Sequence, residues 1–575
     1  MKFTSTKSRV ASIAGAIAIT AGSMAAIGVT AVSASASASH RHLATGTTSA
    51  PTGNVLTVGT FKGHAGQYST IQAAVDHAHS GDWILVAPGD YKENADLGPA
   101  QWNAAPAQHD GYGGVLITTP NLHIRGLNRN TVIVDGTKPG APACSSNAND
   151  QQFGYTPGAP TAAYGRNGIT VYEANNVSID NLSVCNFLSG THGGGNQIWW
   201  NGGADTATIN LHGYEGSFLS ATTNFFNGNS TAGTYGIFSS DAAGPASWSH
   251  IYASNMNDSG MYVGACKRVC GITIDNALME SNALGYSGTN SGGAIVIKNS
   301  LFQNNQDGFD TNTQIAGDPP APQDGACPGN GISPITHTHS CWVLMNNTFK
   351  NNNNAHAPAS GNAAAGPTGT GLTISGGRND TVMNNTFIGN NAWGMLMVPF
   401  PDGSTPEKGQ SCTGTGGVEV SGFGCMYDPM NDALLNNTFS NNGSYGNVSN
   451  GDYGQLAFNA NEPSNCFVGN THPDGQGTRQ LQRLYPTCGI NRVAPDLGYQ
   501  NTLLGQVLCD TGFGGCPKGV NYPNVDPATG NALPRTVILQ SPGFPTGANK
   551  QPVMGNPCAG VPDSLWCKSG ALITS

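Results

Sequence analysis

Short runs of alternating apolar and polar residues, separated by glycine and asparagine, fill most of residues 54–464. A period of two is typical of β-strands whose two faces meet different surroundings. One segment has another period: Ile71, Ala74 and Val75 follow a serine–threonine pair at helical spacing. The pattern therefore predicts an all-β protein with a short helix near residue 70.

A repeat organises these strands. The pattern Asn-x-x-Gly followed by an alternating strand occurs at 257–260, 282–285 and 305–308, and its glycines recur about every 23 to 25 residues. Gly371 and Gly394 repeat this interval farther along. A coil of three short strands and three turns has about this length, so we expect a three-sided parallel β-solenoid.

A second repeated corner has the sequence Asn-Asn-Thr-Phe, within residues 345–349, 383–387 and 435–439. Stacked coils would bring these asparagines together, and their amides could satisfy one another and the buried turn backbone. Contact with a sugar is the alternative role for these asparagines. We expect structural ladders.

Alternation assigns the faces of the strands. If Phe309 points into the core, Asp310 points outward. The inward column is then Met261, Tyr286, Phe309, Leu372 and Met395. The matching outward column is Tyr262, Ser287, Asp310, Thr373 and Leu396. The inward column is apolar throughout, as the register requires.

Insertions interrupt the repeat at about 313–341, 355–369 and 399–430. The first and last of these, together with a small loop between Cys266 and Cys270, leave the same strand end and contain cysteine pairs. They are expected to form a wall beside the outward column, and long loops on a rigid scaffold are common binding sites.

The composition excludes some classes of protein. Only 10% of the 575 residues are charged, 80 are glycine, and the net charge is −10. No basic stripe is available to neutralise phosphates, so a nucleic-acid partner is not expected.

Residues 1–38 have the organisation of a signal peptide: a basic start, an apolar run and the small residues Ala36-Ser37-Ala38. A membrane anchor is the alternative for this segment. We expect a secreted protein without a membrane segment after cleavage, and a monomer.

The chain contains 14 cysteines, an even number that favours disulfides in an exported protein. They lie at Cys144, Cys185, Cys266, Cys270, Cys327, Cys341, Cys412, Cys425, Cys466, Cys488, Cys509, Cys516, Cys558 and Cys567. Their connectivity does not follow from the sequence alone. Zinc is disfavoured, because the closely spaced Cys266 and Cys270 have no second pair at zinc spacing.

The two ends of the chain differ from the solenoid region. Residues 39–53 are expected to form a disordered lead-in. Residues 465–575 lose the repeat and are rich in Cys, Pro and Gly. We expect them to form a cap over the last coils, with a small carbohydrate-binding module as the alternative.

Residues 70–93, TIQAAVDHAHSGDWILVAPGDYKE, resemble the opening of pectin-lyase-like β-helix proteins. The resemblance implies a right-handed parallel β-helix whose N-terminal helix closes the open end. It also implies polysaccharide or a cell-surface glycan as partner, because this superfamily contains lyases, hydrolases, esterases and epimerases. Members without activity exist too, so the fold alone does not decide the function.

The segment Asp307-Gly-Phe-Asp310 is similar to that of some calcium-dependent pectate lyases. Oxygen atoms of Asp307, Asp310 and Asn312 are candidate Ca²⁺ ligands. Asp307-Gly308 is also ordinary turn chemistry. Asp258, two coils away, is not expected to act directly with Asp310.

Uronan lyases also need a base and a positive group beside the sugar carboxylate. The candidates for catalysis are Asp310, Arg378 and His337. Lys298 lies half a coil away, on another face, and a pair with Asp310 is not expected. His339, Asp402 and Glu407 are further loop candidates.

The expected substrate-binding residues are Tyr262, Ser287, Asn312, Thr373, Lys267 and Arg268. Two functions fit the sequence. One is an exported enzyme that degrades polysaccharide, such as a uronan lyase or a glycoside hydrolase. The other is a non-catalytic surface or envelope β-helix with a structural or glycan-binding role.

Overall fold

The computed structural model describes most of the chain between residues 53 and 574. The described residues are 53–94, 112–154, 165–190, 193–203, 209–228, 231–266, 269–289, 291–312, 342–401, 412, 417–421, 424–458, 465–471, 497–540 and 550–574. They form a right-handed parallel β-helix with three long parallel sheets, which confirms the predicted fold class.

The first sheet has twelve strands, each paired in parallel with its neighbours. In stacking order they are Val55–Val58, Trp83–Val86, His123–Gly126, Val177–Asp180, Leu211–Ser217, Ala242–Ser249, Ile272–Asp275, Ile295–Lys298, Trp342–Met345, Thr381–Met383, Ala433–Leu435 and Cys466–Val468. The last strand shows that the solenoid continues past residue 464.

The second sheet has ten shorter strands. They are Gly89–Tyr91, Val132–Asp135, Ser183–Cys185, Ser220–Thr222, Tyr252–Ser254, Leu278–Glu280, Leu301–Gln303, Thr348–Lys350, Thr386–Ile388 and Thr438–Ser440. Each of its strands follows a strand of the first sheet closely, so a tight corner joins the two sheets.

The third sheet, also of ten strands, contains the predicted inward and outward columns. Its strands are Tyr112–Ile117, Arg166–Tyr172, Ile198–Asn201, Gly233–Ser240, Met256–Gly264, Leu284–Thr289, Asp307–Asn312, Thr370–Ser375, Trp393–Val398 and Gly451–Gln455. The chain then returns to the first sheet, and two of the long insertions leave from this return, after Asn312 and after Val398.

Small antiparallel pairs decorate the solenoid. They are Thr60–Phe61 with His64–Ala65, Ser189–Gly190 with Gly193–Gly194, Cys567–Lys568 with Ala571–Leu572, and the trio Phe400–Pro401, Gly417–Val420 and Gly424–Tyr427. Short 3-10 turns span Ala148–Asp150 and Gly361–Ala365.

Asparagine has two roles where the first sheet turns into the second. Asn346, Asn384 and Asn436 have φ values of 57°, 56° and 53°. Asparagine is among the few residues other than glycine that adopt this left-handed conformation readily. The following asparagine of each corner points inward and forms a ladder.

The ladder is built of paired hydrogen bonds. Asn385 Nδ2 donates to Asn437 Oδ1 at 3.1 Å, and Asn437 Nδ2 donates to Asn470 Oδ1 at 3.0 Å. A second ladder runs along the corner between the second and third sheets. Its members are Asn282, Asn305, Asn352, Asn390 and Asn442. The predicted asparagine ladders are confirmed.

The core is a continuous stack of side chains inside the solenoid. Met261, Tyr286, Phe309, Leu372 and Met395 are all fully buried, which confirms the predicted inward column. Phenylalanines of the second sheet stack in register one coil apart: Phe302, Phe349, Phe387 and Phe439, with ring centroids 5.0, 4.8 and 4.8 Å apart.

The predicted N-terminal helix spans Ile71–His77 and buries Ile71, Ala74 and Val75 against the first coils. Thr70 caps it by accepting a hydrogen bond from Ala73 N. Glu93 accepts hydrogen bonds from Ile71 N at 2.5 Å and Gln72 N at 3.2 Å. These bonds satisfy amides that the first turn of a helix leaves unpaired.

The C-terminal region is more extensive than a cap on the last coils. The helix Leu497–Asp510 buries Leu503 and Val507 with Trp393 and Leu396, near the end of the solenoid. Residues 550–574 instead pack on the first coils, where Val561 and Trp566 cluster with Trp83 and Leu85 of the first sheet. The expectation of a cap confined to the last coils is therefore corrected: this region contacts both ends of the solenoid.

Candidate functional site

An aromatic row lies on the outer face of the third sheet. Trp199, Phe238 and Tyr262 occupy the same register position on three consecutive coils, and Tyr235 packs beside them. The rings of Trp199 and Phe238 stack 5.1 Å apart, and those of Tyr235 and Tyr262 are 5.0 Å apart. Tyr235 and Tyr262 keep partial solvent exposure. Of these four residues only Tyr262 was predicted.

The row continues into the predicted outward column. Tyr262 pairs with Ser287, Ser287 with Asp310, and Asp310 with Thr373. The register is confirmed, but the column is not open along its length. Ser287 and Thr373 are buried, and Leu396 is fully covered where the helix Leu497–Asp510 packs on it. The partly exposed members of the column are Tyr262 and Asp310, which lie on either side of the buried Ser287.

Three carboxyl groups, which we call the acidic cluster, lie in or beside this column: Asp258, Asp307 and Asp310. Each accepts a hydrogen bond from a hydroxyl group. Ser259 Oγ donates to Asp258 at 2.6 Å, Thr373 Oγ1 to Asp307 at 2.7 Å, and Ser375 Oγ to Asp310 at 2.7 Å. Asp258 also accepts from Tyr235 Oη at 3.3 Å, which joins the cluster to the aromatic row.

Burial is the main cause of the raised pKa values of the acidic cluster. It raises the pKa of Asp258 to about 6. It raises the pKa of Asp310 to about 7, to which the charge of Asp258 also contributes. The pKa of Asp307 lies well above its ordinary value, because of burial and then because of Asp310. The charge of Asp258 therefore reaches Asp310, and the expectation that Asp258 does not act with Asp310 directly stays a prediction.

The C-terminal region adds a fourth carboxyl group. Asp510, at the end of the helix Leu497–Asp510, is buried, and burial raises its pKa well above the usual value. Its charge acts on Asp307. Arg535 offsets part of this charge and donates to Gln306 Oε1 at 2.6 Å. No repeat predicts this approach, since it joins residues about two hundred positions apart.

Of the basic residues considered in the sequence, the structure describes Arg378 and Lys298. Arg378, a candidate for catalysis, is fully buried and lies over the ring of Tyr427 at 4.9 Å, so its guanidinium group is not exposed to a substrate in this structure. Lys298 lies on the first sheet and pairs with Asp275 at 3.5 Å, as its spacing indicated. Lys267, Arg268, His337, His339, Asp402 and Glu407 lie outside the described residues.

The described residues give limited support for calcium. Ca²⁺ takes about six to eight oxygen ligands. At Asp310 the described oxygen atoms that could bind the ion belong to two carboxyl groups and two hydroxyl groups. The side chain of Asn312 lies outside the described residues. Within the described part of the chain, three ligand-type groups converge within 4.8 Å only at Asp135, Cys144 and Cys185. Those sulfurs form a disulfide, so we derive no chemical step from a metal ion.

Disulfides pin the loops and the tail. The bonds are Cys144–Cys185, Cys266–Cys270, Cys412–Cys425, Cys509–Cys516 and Cys558–Cys567. Cys466 is also disulfide-bonded. Cys327, Cys341 and Cys488 lie outside the described residues. Disulfide use by this chain is confirmed.

No family model and no curated protein matches the sequence. Among solved structures, similarity extends to the A-module of a mannuronan C-5 epimerase of Azotobacter vinelandii. It is 14% identical, covers 70% of this chain and 88% of that chain, and has a TM-score of 0.38. The right-handed parallel β-helix of this chain is shown by its own three parallel sheets.

Two further structures share this likeness. An alginate lyase from Paenibacillus is 12% identical, with 74% of this chain and 98% of that chain covered and a TM-score of 0.32. The tailspike protein of E. coli bacteriophage HK620, in complex with a pentasaccharide, is 10% identical over 72% of this chain and 63% of that chain, with a TM-score of 0.35. At such identities the likeness concerns the fold alone.

No helix among the described residues is both long and apolar enough to cross a membrane.

Proposed function

We propose that this protein is exported, binds a polysaccharide along the aromatic row, and cleaves it with Asp310 and Asp258. One observation supports this most strongly: aromatic rings lead directly to two partly exposed carboxyl groups whose pKa values are raised to about 7 and about 6. Aromatic faces pack on apolar surfaces of ligands while their polar ends stay hydrated. Carboxyl groups with separated pKa values can divide acid and base roles.

In glycoside hydrolysis Asp310 is the better general acid, because it keeps its proton to the higher pH. It donates that proton to the glycosidic oxygen as the bond to the sugar carbon breaks. Asp258, ionised above about pH 6, accepts a proton from the attacking water. Tyr235 and Ser259 position Asp258 through their hydrogen bonds.

Elimination from a uronan is the second candidate reaction. The raised pKa of Asp310 favours it too, since a protonated carboxyl group can hydrogen-bond the sugar carboxylate where an ionised one would repel it. A structural or purely glycan-binding role is the alternative without turnover.

Incubation with polygalacturonate, alginate and neutral glycans separates these functions. New reducing ends without unsaturated sugars support hydrolysis, and unsaturated products support elimination. Binding that Asp310→Ala weakens, without any product, supports the glycan-binding role. No product from any polymer, together with unchanged binding by Asp310→Ala, would refute the proposal.

Replacing Tyr262 by alanine tests the binding surface. We expect the affinity for the polysaccharide to fall by about tenfold, a loss of about 1.4 kcal/mol, because a partly exposed ring beside the acidic cluster is removed. Isothermal titration with the responsive polymer measures this loss. Phe513→Ala is the control, since Phe513 is an exposed aromatic residue of the tail. Equal affinity losses in both variants would count against the aromatic row.

Calcium binding at Asp307, Asp310 and Asn312 stays a prediction. If the ion binds there, adding Ca²⁺ after treatment with a chelator should raise the melting temperature, and Asp310→Asn should reduce that rise. A rise that persists in Asp310→Asn would place the ion elsewhere. No rise in the wild type would remove calcium from this site.

A further inference from the structure

A third ladder differs in chemistry from the two asparagine ladders. At the corner between the third and first sheets, the stacked residues are Asp380, Asp432 and Asn465. Asp380 N donates to Asp432 Oδ1 at 2.9 Å, and Asp432 N donates to Asn465 Oδ1 at 2.9 Å. The same bonds, with the same lengths, link Asn385, Asn437 and Asn470. Two aspartates therefore occupy asparagine positions.

In such a ladder the side-chain nitrogen of each asparagine donates hydrogen bonds to a backbone carbonyl, to the next asparagine, or to both. Asn437 Nδ2 donates to Val382 O at 2.9 Å and to Asn470 Oδ1 at 3.0 Å. Asn465 Nδ2 likewise donates to Pro429 O at 3.0 Å. Because Asp432 Oδ1 holds the acceptor position, Asp432 Oδ2 takes the place of that nitrogen. An ionised carboxylate has no proton to donate there.

Both aspartates are buried, and Asp432 Oδ2 accepts no hydrogen bond from the described residues, while the backbone of Trp342 hydrogen-bonds to the carboxyl group of Asp380. Two groups act on the charge of Asp432. Asp380 on the preceding coil disfavours ionisation, and Arg378 favours it. Burial outweighs Arg378, so the pKa values of both carboxyl groups lie well above the ordinary value.

The pair lies at the root of the loop that leaves the third sheet after Val398. The chain returns from this loop at Met430, whose N–H donates to Gly377 O at 3.1 Å, while Asn379 N donates to Met430 O at 3.0 Å. Ala433 N then donates to Asp380 O at 2.8 Å. The ladder therefore joins the end of this loop to the coil beneath it. The loop itself contains the Cys412–Cys425 disulfide.

We propose that Asp380 and Asp432 form a protonated rung that anchors this loop under acidic conditions and releases its root as the pH rises. A neutral carboxyl group donates from Oδ2 as an asparagine amide does, whereas two ionised groups repel each other in a buried site. The proposal goes beyond the polysaccharide site and does not depend on it.

The sign of the pH dependence follows from the raised pKa values. The folded state holds these protons more tightly than the unfolded state. The contribution to stability is therefore complete below the ordinary aspartate pKa and is lost as the pH rises through the folded pKa values. An asparagine pair at the same positions keeps its donors at every pH.

The test is amide hydrogen exchange at Asp380, Asp432 and Ala433 in the full chain, at about pH 5 and about pH 8. After correction for intrinsic exchange, we expect protection in the wild type to fall by at least about tenfold, the equivalent of one unit of pKa difference. In Asp380→Asn/Asp432→Asn this fall should disappear, because the asparagine ladder is complete. Asp526→Asn, which changes a partly exposed carboxyl group of the tail, should behave like the wild type.

Asp432→Asn alone provides a second variant, with only one carboxyl group remaining, and should show a smaller fall. Equal losses of protection with pH in the wild type and the double variant would overturn the proposal. Carboxyl carbon chemical shifts showing both aspartates ionised at about pH 5 would overturn it as well. Polysaccharide cleavage is not part of either measurement, so the proposed function and this rung fail independently.

Discussion

Replacing Phe387 by alanine is expected to lower the free energy of unfolding by about 3–5 kcal/mol. Phe387 is fully buried, and its ring stacks between those of Phe349 and Phe439 at 4.8 Å on each side. Truncation removes both ring contacts and opens a cavity inside a solenoid whose coils touch only their neighbours. Denaturant unfolding followed by circular dichroism measures the loss.

Lys350→Ala is the matched control, because Lys350 is exposed on the neighbouring coil of the same sheet. It should change the stability by no more than about 0.5 kcal/mol. Phe387→Leu, which keeps most of the volume, should cost about 1.5 kcal/mol or less. A loss in Phe387→Ala as small as that in Lys350→Ala would show that the phenylalanine stack contributes little to stability.

The solenoid could be predicted from the sequence because every coil needs the same residue types at the same positions. A buried inward face requires apolar side chains at alternate positions, as at Tyr286 and Phe309. A tight corner requires a residue tolerant of positive φ, followed by a side chain that both donates and accepts. Asn384 and Asn385 meet these demands in turn. Local residue types therefore contain most of the information needed for this part of the fold.

The aromatic row escaped prediction because its coils differ in length. Trp199 and Phe238 are register partners. The coil that separates them is much longer than the 23-residue interval between Asn282 and Asn305. A fixed period places Phe238 wrongly relative to Trp199. Strand pairing is set by three-dimensional contact and not by spacing, so insertions hide such partners.

The burial around Asp310 escaped prediction for another reason. Alternation places Asp310 and Leu396 on the outer face correctly, but it does not say what covers that face. The helix Leu497–Asp510 covers Leu396, and Arg535 approaches Gln306 from the same C-terminal region. These contacts join distant segments without a repeat. Their electrostatic consequence is visible in the raised pKa of Asp307, to which Asp510 contributes.

Replacing Asp310 by asparagine is expected to reduce polysaccharide cleavage by about 10²–10⁴-fold while leaving the fold intact. Asparagine keeps an oxygen that can accept the hydrogen bond from Ser375, but it cannot release a proton to a leaving oxygen. Asp275→Asn is the matched control, since Asp275 is a carboxyl group on the first sheet, whereas the acidic cluster lies on the third.

The pH profile of wild-type cleavage is a second test of the roles proposed for Asp310 and Asp258. Hydrolysis requires Asp310 protonated, which holds below about pH 7, and Asp258 ionised, which holds above about pH 6. The rate should therefore peak between these values and fall on both sides. Asp258→Asn should remove the acidic limb together with most of the activity. If the Asp310→Asn variant cleaves at the wild-type rate, Asp310 is not the general acid, because an asparagine side chain at that position cannot donate the proton.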